Sequence, residues 1–211
     1  MNRFLVQFKS RVGFLALLFI LFQVSFDQWT KKIAEDHLMV WSDDINPRQY
    51  QGKRLILMQM GQDKEFMQEG SFLELGFNYV RNQGAAWGML SSLEDWIRVP
   101  FFMIVGILAI FMLIGYLWQT PVDDRWTRFA LLLVLSGAFG NFIDRIIRGY
   151  VIDFIDVRWS IPLLDWLAQQ FDTNYWIYAF PSFNWADSMI TVGVIFLVFE
   201  VVIKENLRPS A

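Results

Sequence analysis

Four long apolar stretches constrain the fold of this chain more than any other feature of its sequence. They cover Val12–Phe26, Val99–Val122, Phe129–Ile143 and Asp187–Ile203. The second has no charged residue over 24 positions, and about 20 apolar residues suffice for a helix to cross a bilayer. We therefore predict a mainly α-helical membrane protein with transmembrane helices at about 12–28, 98–119, 126–147 and 185–204.

The composition supports a membrane protein and argues against several other classes. The 211 residues suffice for a single domain, 1–211, with 55% hydrophobic and 18% charged residues, whereas soluble chains average about 45–50% and about 25%. A net charge of −3 without a basic stripe argues against a nucleic-acid partner. The chain has no cysteine and one histidine, His37, so we expect no disulfide, no metal site and no cofactor.

The first apolar stretch also has the basic start of a cleaved signal peptide. Arg3, Lys9 and Arg11 precede it, but the sequence after its core, "VSFDQW", lacks the small residues of a cleavage site. We therefore predict a retained helix.

Basic residues predict how the four helices are oriented. If all four span the membrane, one side receives Arg3, Lys9, Arg11, Arg125, Arg128, Lys204 and Arg208. Positive charge favours the cytoplasmic side, so we expect both termini in the cytoplasm. The long connections 28–98 and 146–184 then face outward.

The two outward connections have different patterns. Short mixed runs, "KRLILMQM" and "SFLELGFNYVRN", lie between glycines and predict a small β-sheet within about 40–90. The segment at about 150–182 is predicted to be a loop with a short amphipathic helix around "IPLLDWLAQQFD".

Polar residues cluster at the predicted outer ends of the helices, where ionisable groups are costly and commonly functional. Helical spacing places three sets on common faces: Asp27 with Lys31; Asn141 with Asp144 and Arg145; Asn184 with Asp187. Two further segments contribute Asp153, beyond the third helix, and Asn82 with Gly84, in a run of small residues.

Two of these clusters also have a structural explanation. Asp27 and Lys31 could form an interfacial ion pair, which we favour for these two residues. Asp144 and Arg145 could form another such pair.

Helix packing and capping explain other members of the clusters. Gly137, like Gly140, is better explained by close packing of membrane helices than by catalysis. Asn184 and Asp187 could cap the fourth helix, and for Asp187 capping and function have equal weight. The "GAAWG" run could be a tight turn.

Convergence of the polar clusters favours a functional site built on carboxylates. With no cysteine, no second histidine and no serine in a nucleophile-elbow pattern, Asp153 and Asp187 are the best-placed pair. An ionised aspartate can take a proton from water as the water attacks a carbonyl, while a protonated partner polarises that carbonyl and protonates the leaving amine.

Five motifs in this order resemble the bacterial lipoprotein signal peptidases, or signal peptidase II. They are "DQWTK" (27–31), "RNQGAAWG" (81–88), "GAFGNFIDR" (137–145), "VIDF" (151–154) and "FNWAD" (183–187). Two segments, at about 41–75 and 157–182, are longer than in typical members.

The resemblance implies an aspartyl endopeptidase of the bacterial inner membrane, with its active site at the outer face. The implied substrate is a diacylglyceryl-prolipoprotein, which is cleaved before its lipidated cysteine. Membrane lipids are the other expected partners, and we expect the protein to be a monomer. The implied catalytic pair is Asp153 and Asp187. Positions that match the rest of the family's site are Asn82, Gly84, Gly137, Asn141, Arg145, Asn184, Asp27 and Lys31, with Asp144 in a supporting role.

Two other functions are compatible with intramembrane carboxylates. One is a small proton- or cation-coupled transporter, although transporters usually place such groups near the bilayer midplane. The other is a non-catalytic membrane subunit whose Asp and Asn residues hold helices together. Neither would cleave a peptide bond.

Overall fold

The computed structural model describes residues 11–40, 52–61, 72–84, 94–160 and 178–206. Its elements, in chain order, are α1 (Arg11–Leu38), β1 (Leu55–Gly61), β2 (Phe72–Asn82), α2 (Asp95–Gln119), α3 (Arg125–Arg148), β3 (Val151–Ser160), β4 (Tyr178–Ala179) and α4 (Trp185–Asn206). Among these residues, four helices are long and apolar enough to cross a membrane. The predicted fold, four membrane helices with a small sheet, is confirmed.

The chain divides into two compact units. The helical unit takes its described residues from 1–30, 92–151 and 185–211. The sheet unit takes its described residues from 31–91 and 152–184.

Helix α3 is the central helix of the helical unit. In its most apolar stretch 50% of the residues are buried, against 6%, 11% and 17% in the other three helices. It packs against α2 and α4. Glycines allow α3 and α4 to approach each other closely. A Cβ atom on Gly137 would lie 2.3 Å from the carbonyl oxygen of Ala186, and one on Gly193 would lie 2.8 Å from that of Ala130. Such small residues let membrane helices approach each other closely.

Local signals fix both ends of α3. Asp124 is its N-cap, and its carboxylate accepts a hydrogen bond from the backbone N–H of Thr127 at 3.4 Å. Gly149 is its C-cap in the left-handed conformation, with φ of 75°, which glycine adopts without steric cost. The chain therefore leaves the helix only two residues before β3 begins.

Helix α1 is ten residues longer than predicted, ending at Leu38 rather than at about residue 28. The added turns are polar, which is why an apolar pattern did not include them. Lys32 forms ion pairs with Asp36 at 2.7 Å and with Glu35 at 3.5 Å, and pairs at these spacings support helix without an apolar face.

The sheet unit contains a four-stranded sheet in the order β1-β2-β3-β4, counted over the described residues. Strands β1 and β2 are antiparallel from Leu55 opposite Phe77 to Gly61 opposite Phe72, with an irregularity between Ile56 and Met58. The "KRLILMQM" and "SFLELGFNYVRN" runs therefore do form neighbouring strands, as predicted.

In place of the loop predicted at the start of 150–182, residues Val151–Ser160 form strand β3. The apolar and β-branched residues Val151, Ile152 and Phe154 favour a strand, and all three are buried. The predicted amphipathic helix lies outside the described residues.

An ion-pair network connects the start of the sheet to its centre. Arg54 forms a hydrogen-bonded ion pair with Asp156 and a second with Glu74, the latter at 2.8 Å. Both carboxylates are buried, at 2% exposure. Burial by itself would lower the pKa of Arg54, but the hydrogen bonds to Asp156 and Glu74 raise it above its usual value. The charged guanidinium thus compensates two carboxylates that have left water.

Candidate active site

Asp153 lies on β3 in the sheet unit and is 2% exposed. Its Oδ2 atom accepts a hydrogen bond from Nδ2 of Asn82 at 2.9 Å, and its Oδ1 atom accepts one from Nδ2 of Asn184 at 2.7 Å. Each oxygen thus has its own amide donor. Because amides are neutral, they orient the carboxylate without cancelling its charge.

The orientation of the Asn82 side chain is itself fixed. Its Oδ1 atom accepts a hydrogen bond from the backbone N–H of Gly84 at 3.0 Å, so its Nδ2 atom is the one that faces Asp153. Gly84 is buried. These two predicted site residues therefore act together on the same carboxylate.

Backbone hydrogen bonds hold Asn184 in place. The N–H groups of Phe154 and Ile155 donate to the carbonyl oxygen of Phe183, at 3.0 and 2.8 Å, and Phe183 N–H donates to Ile155 O at 3.1 Å. This short bridge aligns the residue before Asn184 with β3. Asn184 itself is fully buried.

Asp187 lies in the first turn of α4, in the helical unit, and is partly exposed. Its Oδ1 atom accepts a hydrogen bond from Nδ2 of Asn141, on α3, at 2.7 Å. This hydrogen bond joins two of the predicted polar clusters across neighbouring helices. Capping, the alternative for Asp187, does not account for this contact.

Asp27 stabilises the start of α4 from a different helix. Its Oδ1 atom accepts a hydrogen bond from the backbone N–H of Ala186 at 2.9 Å, one of the donors that a helix N-terminus leaves unsatisfied. A Cβ atom on Gly140 would lie 2.6 Å from Oδ2 of Asp27, so the close approach of α1 needs glycine there. Asp27 is fully buried, as is Lys31 in the sheet unit.

Asp144 is fully buried and has a partner that the sequence analysis did not name. Its Oδ1 atom forms an ion pair with Arg148, one helical turn later, at 2.7 Å. The neighbouring residue Arg145 lies over the ring of Phe102 at 5.0 Å and donates to the carbonyl oxygen of Asn141 at 3.2 Å. Arg148 lies three residues after the "GAFGNFIDR" motif (137–145), on which the prediction was based, so the prediction did not include it.

Gln28 is a second residue that sequence reasoning missed. Its Nε2 atom donates to Asp144 Oδ1 at 3.0 Å and to Gly140 O at 3.1 Å, and its Oε1 atom accepts from Arg148 at 3.2 Å. A side-chain amide carries a donor and an acceptor on separate atoms, so Gln28 can donate to Asp144 and accept from Arg148 at once. The signal was present, since an uncharged polar residue beside Asp27 in the "DQWTK" motif needs a partner at this depth.

The comparisons with known proteins agree on one family. The family model described as signal peptidase (SPase) II matches residues 19–203. This chain belongs to the signal peptidase II family.

Individual relatives and a solved structure support the same assignment. The lipoprotein signal peptidase of Anaeromyxobacter sp. (strain Fw109-5) is 37% identical over 194 residues, which cover 90% of this chain and 84% of that protein. That of Staphylococcus haemolyticus (strain JCSC1435) is 32% identical over 156 residues, 74% of this chain and 84% of that protein. A solved bacterial membrane enzyme is similar with a TM-score of 0.61 and 29% identity, over 96% of both chains.

Membership of the signal peptidase II family makes this protein a multi-pass membrane protease of lipoprotein processing. The predicted family is thereby confirmed. The roles of individual residues are a separate question, to which the geometry of each unit contributes.

Within each unit the structure brings part of the predicted set together. In the sheet unit Asn82 and Asn184 donate hydrogen bonds to Asp153, and Gly84 donates one to Asn82. In the helical unit Asn141 donates a hydrogen bond to Asp187. Asp27 and Gly137 contact the first turn of α4. The two candidate catalytic aspartates belong to different units. Across the described ranges, no group of three His, Cys, Asp or Glu side chains is placed to hold a metal ion.

Proposed function

We propose that this signal peptidase II is an aspartic endopeptidase that removes the signal peptide from diacylglyceryl-modified prolipoproteins. In this proposal it cleaves the peptide bond before the lipidated cysteine. Asp153 and Asp187 are the catalytic residues and act on one water molecule.

The observation that carries the proposal is the pair of amides on Asp153. A carboxylate that is 2% exposed is costly to keep, and here two elements each supply an Asn whose amide is aimed at one of its oxygens. These amides fix the orientation of the carboxylate, which a residue that acts on a water molecule requires.

The reaction divides between the two aspartates. The ionised one takes a proton from water while the water oxygen bonds to the scissile carbonyl carbon, and the protonated one donates a hydrogen bond to the carbonyl oxygen. In the tetrahedral intermediate that follows, the initially protonated aspartate gives its proton to the amide nitrogen, while the other aspartate keeps the proton taken from water. The carbon–nitrogen bond then breaks, releasing an amine and a carboxylic acid.

Other residues of the predicted set position this pair. Asn82 and Asn184 orient Asp153, Asn141 orients Asp187, and Asp27 holds the helix turn that carries Asp187. Asp144 supports α3 through Arg148 and is not catalytic.

The proposed setting follows from the sequence. Both termini lie in the cytoplasm, and the catalytic residues act at the outer face of the inner membrane, where a substrate held by its acyl chains can reach them among membrane lipids. We propose that the protein works as a monomer.

A gel-shift assay with purified protein in detergent tests the proposed function. A diacylglyceryl-modified prolipoprotein is compared with the same precursor carrying serine in place of its lipidated cysteine. We expect cleavage of the lipidated precursor alone, with mass spectrometry placing the new N-terminus at the modified cysteine.

Two outcomes would contradict the proposal in different ways. Cleavage of both precursors would remove the requirement for the lipid. If neither is cleaved, the peptidase assignment fails, and proton-coupled transport becomes the function to test.

A further inference from the structure

An apolar groove lies along the helical unit between α1, α2 and α3. It has a volume of about 480 Å³ and is lined on α1 from Val12 to Val24 and on α3 from Arg128 to Ile143. None of the site residues described above is among the residues that line it. The groove is therefore distinct from the proposed catalytic machinery.

The length of the groove fits one lipid chain. From Val12 to Val24, at about 1.5 Å per residue, it extends about 18 Å, close to the depth of one leaflet of an apolar core about 30 Å thick.

One end of the groove carries a positive charge. Of the described residues that line it, Arg128 alone is charged. Its Nη1 atom donates to the carbonyl oxygens of Thr120 at 2.9 Å and Leu117 at 3.3 Å, at the end of α2. Over the ranges that the structure describes, its Nε and Nη2 atoms have no partner and it forms no ion pair. This half-buried guanidinium can still bind an anion.

Charged residues of both signs surround this end of the groove. Arg11 and Arg125 are exposed at the first positions of α1 and α3, and Asp123 is exposed beside Val122, which lines the groove. The carboxylate of Asp124 is engaged as the N-cap of α3. Arg128 is therefore the positive charge that lies within the lining itself.

We propose that the groove binds one acyl chain of an anionic phospholipid whose phosphate contacts Arg128. The apolar lining takes the chain out of contact with the surrounding lipid, and the guanidinium recognises the phosphate. Because three helices line the groove, the bound lipid joins α1 to α2 and α3 and stabilises the helical unit.

Native mass spectrometry of the full-length protein in detergent tests this proposal. Palmitoyl-oleoyl phosphatidylglycerol and palmitoyl-oleoyl phosphatidylcholine carry the same chains and differ in net charge. We expect about fivefold tighter binding of the first to the wild type, the factor that one arginine near a membrane surface contributes. Arg128→Gln should abolish this preference, whereas Arg125→Gln, outside the lining, should keep it.

A second pair of variants tests the groove independently of Arg128, whose loss also removes contacts to α2. Ala16→Phe fills the groove and should weaken the binding of both lipids at least fivefold. Leu15→Phe, one position away and exposed to the bilayer, should leave both affinities unchanged.

Three results would overturn the proposal. They are equal affinity of the wild type for the two lipids, unchanged binding by Ala16→Phe, and displacement of the lipid by a synthetic apolar helical peptide. The last would assign the groove to a signal helix.

Discussion

Asparagine side chains orient both aspartates on which the proposed reaction depends. Asn82 and Asn184 bind the two oxygens of Asp153, and Asn141 binds Asp187. An Asn side chain carries no charge, so it orients each carboxylate without adding a charge beside it.

Asn82→Ala should reduce kcat about 10- to 100-fold with little change in KM. It removes a hydrogen bond to a charged group, which contributes about 1.5–3 kcal/mol. Initial rates of precursor cleavage measure this effect. Asn78→Ala is the matched control, since Asn78 lies on the same strand and donates to Ser182 rather than to an aspartate. Equal losses in the two variants would mean that Asn82 acts only on folding.

The residue types of the site could be predicted from the sequence, but several of their partners could not. The motifs named Asp144, yet its ion pair with Arg148 depends on where α3 ends. Likewise the hydrogen bond from Ala186 N–H to Asp27 joins residues 159 positions apart. Such contacts follow from the packing of helices, which the order of motifs does not contain.

The contact between α3 and α4 depends on glycines that permit close approach. The α4 turn that carries Asp187 is adjacent to Gly137, where a side chain would meet the carbonyl oxygen of Ala186. The separation of these two helices therefore influences the hydrogen bond between Asn141 and Asp187.

Gly137→Ala should lower Tm by about 2–12 °C. Overpacking costs about 1–3 kcal/mol, and about 1 kcal/mol shifts Tm by about 2–4 °C in a chain of this size. Circular dichroism in detergent follows the transition. Gly115→Ala is the control, because a Cβ atom there would meet nothing within 4 Å. If both variants melted at the same temperature, Gly137 would not set the helix separation.

The sheet is stabilised by a different interaction, the ion pairs of Arg54. Arg54→Met leaves the buried carboxylates of Glu74 and Asp156 without this partner, and breaking such a pair costs about 3–5 kcal/mol. We expect faster amide hydrogen exchange in β1 and β2. Lys53→Met is the control, since Lys53 is exposed; equally fast exchange in that variant would exclude a role for the ion pairs.

Apolar runs predicted the elements better than they predicted their limits. The four helices appear where long uncharged stretches occur, whereas the polar end of α1 and strand β3 were missed. Ion pairs such as that of Lys32 with Asp36 stabilise the polar end of α1. Strand β3 lies in a sheet with β2, a neighbour more than 60 residues earlier in the sequence, so no local pattern identified it.

The whole molecule is expected to cross the membrane four times with both termini in the cytoplasm. The chain has no cysteine, so Lys53→Cys and Asp123→Cys each introduce a single thiol. In spheroplasts a membrane-impermeant maleimide should label Lys53→Cys directly and Asp123→Cys only after lysis. Labelling of Asp123→Cys in intact spheroplasts would mean that the chain has the opposite orientation in the membrane.

The proposed reaction has one aspartate from each unit act on the same peptide bond. Asp153 belongs to the sheet unit and Asp187 to the helical unit. In that proposal neither carboxylate suffices alone, because one must be ionised and the other protonated for the water to attack.

Cleavage of a diacylglyceryl-modified prolipoprotein by three folded variants tests this pairing most directly. Asp153→Asn and Asp187→Asn should each lose activity by at least about 100-fold, since losing general acid–base catalysis costs about 100- to 10,000-fold. Asp144→Asn, which alters the contacts with Arg148 and Gln28, should retain measurable cleavage. An active Asp153→Asn beside an inactive Asp144→Asn would contradict the assignment and make Asp144 the partner of Asp187.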